Sequence, residues 1–298
     1  MSDTLASMSR KISGAGDLES VVRSMKALAA ASIGQYEKSV LALADYYRTV
    51  ELGLIVCLRK REGAAEQAAR PGKAAKKVGA IVFGSDQGLV GQFNDSLADF
   101  VAKALEDLPG EKKVWAVGER VHARLADAGL MPEGLFAVPT SVNAITPLVG
   151  QILVAGEAQQ ASGESSELYL FHNRPKAGAA YDPVSQHLLP MDETWQRRLA
   201  RLPWPTKNLP EVIGCPEQTL RALVQSYLFV SLYKACAESL ASENASRLAA
   251  MQRAEKNIDE LLGNLNQTFR RLRQTSIDEE LFDVLSGYES LSKGSNSC

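Results

Sequence analysis

Apolar residues recur at alternating steps of three and four along both ends of the chain. Near the N-terminus the ladder runs through Leu18, Val22, Met25, Ala29, Ser32, Tyr36, Ser39, Leu43, Tyr46 and Val50. A longer ladder starts at Leu220, Leu223, Tyr227 and Val230 and ends at Leu265, Phe269, Leu272 and Ser276. A sustained seven-residue repeat is the mark of a coiled coil. Lys234, Asn244, Glu255 and Ser276 interrupt the second ladder, and polar residues at seam positions are expected to loosen it locally. A helix from about residue 217 to 288 would be about 105 Å long at ~1.5 Å per residue, too long for a compact domain. The N-terminal arm, ending near residue 58, spans little more than half of it. An antiparallel hairpin within a bundle is the simpler alternative, and the length of the C-terminal arm counts against it.

Proline sharpens this division. All 12 prolines lie from Pro71 to Pro216. Proline breaks helix interiors, so two proline-free arms flank a different kind of middle. That middle alternates strand and helix patterns. KKVGAIVFGSD, KKVWAVG and GLFAV read as strands, with helical FNDSLADFVAKALEDL and ERVHARLADAG between them. TPLVGQILVAGEAQQ reads as a helix with Thr146 as N-cap and Pro147 at the first helical position. ELYLFHNRP and VSQHLLPM read as two further strands, the candidates for an antiparallel pair. The fold class predicted is α/β, with a small, mostly parallel sheet inserted between long terminal helices. The boundaries are 1–58 for the first helical arm, 59–77 for a linker, 78–212 for the α/β domain and 213–298 for the second arm.

Charge alters one part of this picture. Formal net charge is −2, which argues against a general nucleic-acid binder. The 59–77 linker, RKREGAAEQAARPGKAAKK, is strongly basic, as a solvated loop would be; an acidic partner or lipid headgroups are the functional alternative. No apolar run is long enough to span a membrane. The first residues lack the apolar core of a secretory signal. Cys57, Cys215, Cys236 and Cys298 are far apart and read as reduced thiols. His122, His172 and His187 form no metal pattern and read as structural or surface residues.

The segment FGSDQGLVGQFN, residues 83–94, follows a strand and opens a helix, where α/β proteins often bind phosphate. Its glycines, Gly84, Gly88 and Gly91, fit neither GxGxxG nor a P-loop. Tight turning is the plainer reading. No catalytic set, metal site or cofactor motif emerges elsewhere. The chain ends with Arg270, Arg271 and Arg273 in one turn, followed by Asp278, Glu279, Glu280 and Asp283. A solvated helix face is the first reading of those carboxylates.

Three stretches resemble the gamma subunit of the F-type ATP synthase. They are MKALAAAS at 25–32, GSDQGLVGQFN at 84–94, and ASENASRLAAM followed by Asn257 and RQTSIDEELFDVLSG across 241–287. The resemblance covers the whole chain in order. It implies an antiparallel coiled coil of the terminal helices around a Rossmann-like α/β insert. It implies a rotating central stalk with no catalytic or cofactor-binding residue of its own. The implied partners are the alpha and beta subunits of the ATPase ring, the epsilon subunit and the membrane c-ring, with one copy per complex. The implied location is peripheral, on the cytoplasmic face of the inner membrane. Met25, Arg247, Arg273, Gln274 and Glu280 match family positions at or near the ring. Arg270 and Asp278 join that contact set from the basic and acidic turns, with Leu281, Phe282 and Leu285 as an apolar tip in the ring's sleeve.

The sequence also departs from the family. Gly14 and Gly16 stand in the N-terminal helix, where each glycine costs about 1 kcal/mol, so a rigid helix from the first residues is not expected. Asp278 replaces a threonine and Val90 a frequent cysteine. These changes suggest a divergent branch, such as the second ATPase of some bacteria. On the residues alone, an α/β enzyme with helical arms and a coiled-coil adaptor both stay open.

Overall fold

The structure is a computed structural model describing residues 4–62, 77–161, 167–176, 181–190, 204–208 and 210–294. Two helices, α1 (Leu5–Ala42) and α2 (Ala44–Glu62), precede the sheet. The 63–76 part of the basic segment lies outside the described residues, while 59–62 continue α2. Then follow β1 (Lys77–Phe83), α3 (Phe93–Glu106), β2 (Glu111–Val117), α4 (Glu119–Asp127), β3 (Gly134–Phe136), α5 (Ile145–Ala161), β4 (Glu167–Pro175) and β5 (Tyr181–Leu189). A single helix, α6, runs over Pro216–Gly294.

The strands order as β3-β2-β1-β4-β5. All neighbours are parallel except β4 and β5, which pair antiparallel. β1 is central and is buried on both faces, as a near-continuous apolar strand should be. Val78, Ala80 and Val82 point to one core with Leu97, Val101 and Leu105 of α3 and Val121 and Leu125 of α4. Ile81 and Phe83 point to the other, with Ile145, Val149 and Ile152 of α5, Val50 and Leu54 of α2, and Tyr227, Leu232 and Ala237 of α6. Between residues 227 and 246, α6 is buried nearly all round, which a helix tolerates only when it is enclosed by other elements.

The chain forms two compact units: Met1–Leu28 with Leu248–Cys298, and Ala29–Arg247. The first is purely helical in its described residues, and the second holds the sheet.

Three expectations shift. Helix α1 starts at Leu5 and passes unbroken through Gly14 and Gly16, with Ala15 buried between them. Helix α5 starts at Ile145, after a 3-10 turn at Val142–Ala144, so Thr146 and Pro147 sit inside its first turn rather than at the cap. The N-terminal ladder has one row inward throughout and one inward in part, with Met25, Ser32 and Ser39 half-buried. Met8, Ala15, Val22, Ala29, Tyr36, Leu43, Val50 and Cys57 recur every seven residues and are all buried or half-buried. A further inward row, Ile12, Glu19, Lys26, Ile33, Val40, Tyr47 and Leu54, lies beside them; Leu18 and Tyr46 are exposed.

Candidate functional site

The glycine loop and the middle of α6 are built for each other. Ser239, Ser242 and Ser246 lie on one helical stripe and are all buried. Each donates its hydroxyl to a main-chain carbonyl: Ser239 to Phe83 at 3.0 Å, Ser242 to Asn173 at 3.0 Å, and Ser246 to Val90 at 2.6 Å. The stripe thus joins α6 to the end of β1, to β4 and to the loop after β1. The loop closes on itself as well. Ser85 N–H donates to Asn94 Oδ1, Asn94 Nδ2 donates to Ser85 Oγ, and Asn173 Nδ2 donates to the Phe93 carbonyl. The Asp86 carboxylate accepts the N–H groups of Glu119 and Val138, both at 2.9 Å.

Glycine is required here by close approach. A Cβ on Gly84 would lie 2.3 Å from Val121 Cβ, and Gly118, at φ +117, packs its Cα against the Ser85 backbone. Leu89 sits in left-handed backbone at φ 63 with its side chain exposed. The Ser85, Asp86 and Asn94 side chains close the loop, and the Val90 carbonyl attaches it to α6.

Two charge clusters border the stripe. Buried His172 bonds Glu238 through Nε2 at 2.8 Å, while Arg174 Nε reaches the same carboxylate at 3.3 Å. Desolvation lowers the His172 pKa, with the Glu238 bond opposing it. Burial alone would raise Glu238, but the His172 bond and the charges of Lys234 and Arg174 leave it lowered. The consistent state is a neutral imidazole donating from Nε2 to an ionised carboxylate. His172 Nδ1 is then the acceptor-only nitrogen, and it has no hydrogen-bond partner. On the other side, Arg247 donates to Glu243 at 2.5 Å and to Asn244 at 3.3 Å. Burial raises the Glu243 pKa against the pull of Arg247. A cleft of about 230 Å³, lined by Tyr36, Asp86, Gln87, Thr140, Glu243 and Arg247 among others, opens here.

The predicted contact residues fall into two settings. Arg247 belongs to the sheet-containing unit and is held by Glu243 and Asn244 of its own helix. Met25, half-buried, and Arg270, Arg273, Gln274, Asp278 and Glu280, all exposed, belong to the helical unit. Among the described residues, none of the charges from Arg270 to Asp283 has an ion-pair partner. Ile277, Leu281, Phe282, Val284 and Leu285 are exposed between and beyond them, and α1 in the same unit exposes Leu18, Val21 and Leu28. Glu255, by contrast, is tied to Lys26 at 2.5 Å and to Arg23 at 3.3 Å. The polar seam position expected to loosen the coil is instead bonded. Among the described residues no helix is long and apolar enough to cross a membrane.

A family model described as ATP synthase matches residues 4–291. The ATP synthase gamma chain of Geobacter metallireducens is 27% identical over 97% of this chain and 99% of its own. The chain belongs to the ATP synthase gamma family. The gamma chain of Haemophilus influenzae is 23% identical over 93% of this chain and 96% of its own. Among solved structures, the rotor of the Euglena gracilis mitochondrial ATP synthase superposes with a TM-score of 0.63 at 13% identity, covering 92% of this chain and 98% of that one. A chain of the central stalk and c-ring assembly of Tetrahymena thermophila gives 0.57 at 20% identity, covering 78% and 99%. These structures share the gamma fold: long terminal helices around an α/β domain.

Sequence reasoning missed the serine stripe as a working element of this gamma fold. Its signal is three serines at helical spacing, i, i+3 and i+7, in ESLASENAS.

Proposed function

We propose that this chain is the rotating central stalk of an F-type ATP synthase, coupling ion flow through a membrane ring to nucleotide chemistry on partner subunits. The observation that carries this is the outer part of α6, where an apolar row and unpaired charges are exposed together on a family member matched from end to end. Isolated soluble proteins seldom leave such apolar rows bare. The row fits the sleeve of an alpha and beta ring, present around one copy of this chain. The α/β domain is the foot, resting on the c-ring with the epsilon subunit beside it. The chain would carry no active site and would sit peripherally on the cytoplasmic face of the inner membrane.

The residues suit a part that must let go. Exposed ion pairs contribute about 0–1 kcal/mol each, so Arg270, Arg273, Asp278 and Glu280 can make and release contacts through a turn. A fully buried pair would hold one orientation too strongly. Met25, Gln274 and Arg247 complete the contact set. Torque enters at the foot and reaches the shaft because the serine stripe fixes the α/β domain to α6. The departures at Gly14, Gly16, Val90 and Asp278 favour a divergent branch serving beside a main enzyme; a genome with a single gamma gene would count against that.

Co-expression with the alpha and beta subunits of the same genome tests the reading. Native mass should show one copy per six-subunit ring, with ATPase activity that depends on it. A ring that assembles and hydrolyses ATP equally well without this chain would overturn it.

A further inference from the structure

Beyond the rotor reading, and independent of it, the sheet-containing unit has a cleft that nothing described so far uses. It measures about 720 Å³ and lies between the sheet, α5 and the first turns of α6. That size is within the range of small-molecule sites, about 300–1,000 Å³. Its described walls are almost wholly apolar, with Trp115, Phe136, Leu153, Leu168 and Phe229 among them. Gly156 lines it too, and a Cβ there would meet nothing within 4 Å, so the space is open at that wall.

The polar lining is sparse and of one sign. Arg221 is the charged residue among the described lining, with Gln225 and Ser226 near it on the same helix. Arg221 is exposed and, among the described residues, has no ion-pair partner. The Ser226 hydroxyl is committed to the Ala222 carbonyl at 2.9 Å. No carboxylate belongs to the described lining. An apolar cleft whose described lining carries one guanidinium, unpaired among the described residues, suits a guest with one anionic end and an aliphatic body.

We propose that this cleft binds a single-chain anionic amphiphile of the fatty-acid type, its carboxylate on Arg221 and its chain against Trp115 and Phe229. One cation and one cleft match one headgroup and one chain, rather than a two-chain phospholipid.

The test uses the full chain and oleate brominated at its double bond, which quenches indole fluorescence on contact. Wild-type protein should show saturable quenching that disappears in Trp115→Phe. Arg221→Glu should weaken the affinity by about tenfold or more, as loss of a charge-assisted contact implies. Gly156→Phe should abolish binding by filling the space, and circular dichroism should show both variants folded. Absence of saturable quenching in the wild type would overturn the proposal. So would quenching that survives both Arg221→Glu and Gly156→Phe, or tighter binding to anionic phospholipid vesicles than to free oleate.

Discussion

Ser246 donates to the Val90 carbonyl at 2.6 Å inside a buried site, beside a leucine in left-handed backbone. Removing that hydroxyl leaves the Val90 carbonyl with only the longer bond from Phe93 N–H at 3.4 Å, a net loss of about 0.5–1.5 kcal/mol. Ser246→Ala should therefore lower the unfolding free energy of the sheet-containing unit by that amount, read as a lower denaturant midpoint at unchanged slope; an unchanged midpoint would show that the bond contributes nothing net. His172 makes a second residue-scale prediction. Its folded pKa is lowered from 6.5 by burial, so the unfolded chain binds the extra proton first. Its contribution is complete above 6.5 and is lost as pH falls toward the folded value. The melting temperature should fall with pH below 6.5, and His172→Gln should flatten that slope. Glu238, also lowered, adds a separate loss only below 4.5. At this scale the sequence was least informative. Ser239, Ser242 and Ser246 are ordinary helix residues until β1, β4 and the glycine loop arrive from more than sixty positions away. Hydrogen bonds that depend on such tertiary approach leave no local pattern. The family resemblance marked the stretch without saying what its hydroxyls do.

Among the elements, α1 shows what periodicity resolves and what it does not. The seven-residue row through Val22, Ala29, Tyr36 and Val50 was legible because it is apolar or small throughout. The companion row was not, because Glu19 and Lys26 stand in it while apolar Leu18 and Tyr46 face out. Arg23 and Lys26 meet Glu255, and Arg23 also meets Glu19, so charge takes the place of hydrophobicity at this level. The mostly parallel sheet was legible for the opposite reason: β1 carries an unbroken apolar run that both faces bury. Gly14 and Gly16 lie in helix with open space where a Cβ would point. Alanine at both positions should stabilise α1 by about 1 kcal/mol each, since the gain is intrinsic to the helix. Thermal unfolding of the full chain should shift upward; a downward shift would mean that the bare backbone is needed for packing.

For the whole molecule, the helical unit carries the exposed charges and apolar tip, while the other unit carries the sheet, and α6 is one covalent helix through both. Changing Arg273 and Gln274 together to Ala should weaken ring assembly or coupling while circular dichroism and the unfolding of the sheet-containing unit stay as in the wild type. Full coupled ATP synthesis by that double variant would remove these residues from the contact set. The most direct measurement of the central claim is rotation itself. Cys215 is an exposed thiol in the sheet-containing unit, whereas Cys57 and Cys236 are buried. A gold bead attached at Cys215 in a Cys298→Ser chain, within a ring fixed to glass, should turn in one direction when ATP is added and stop when ATP is withdrawn. A bead that stays still while the same complexes hydrolyse ATP would contradict the stalk reading.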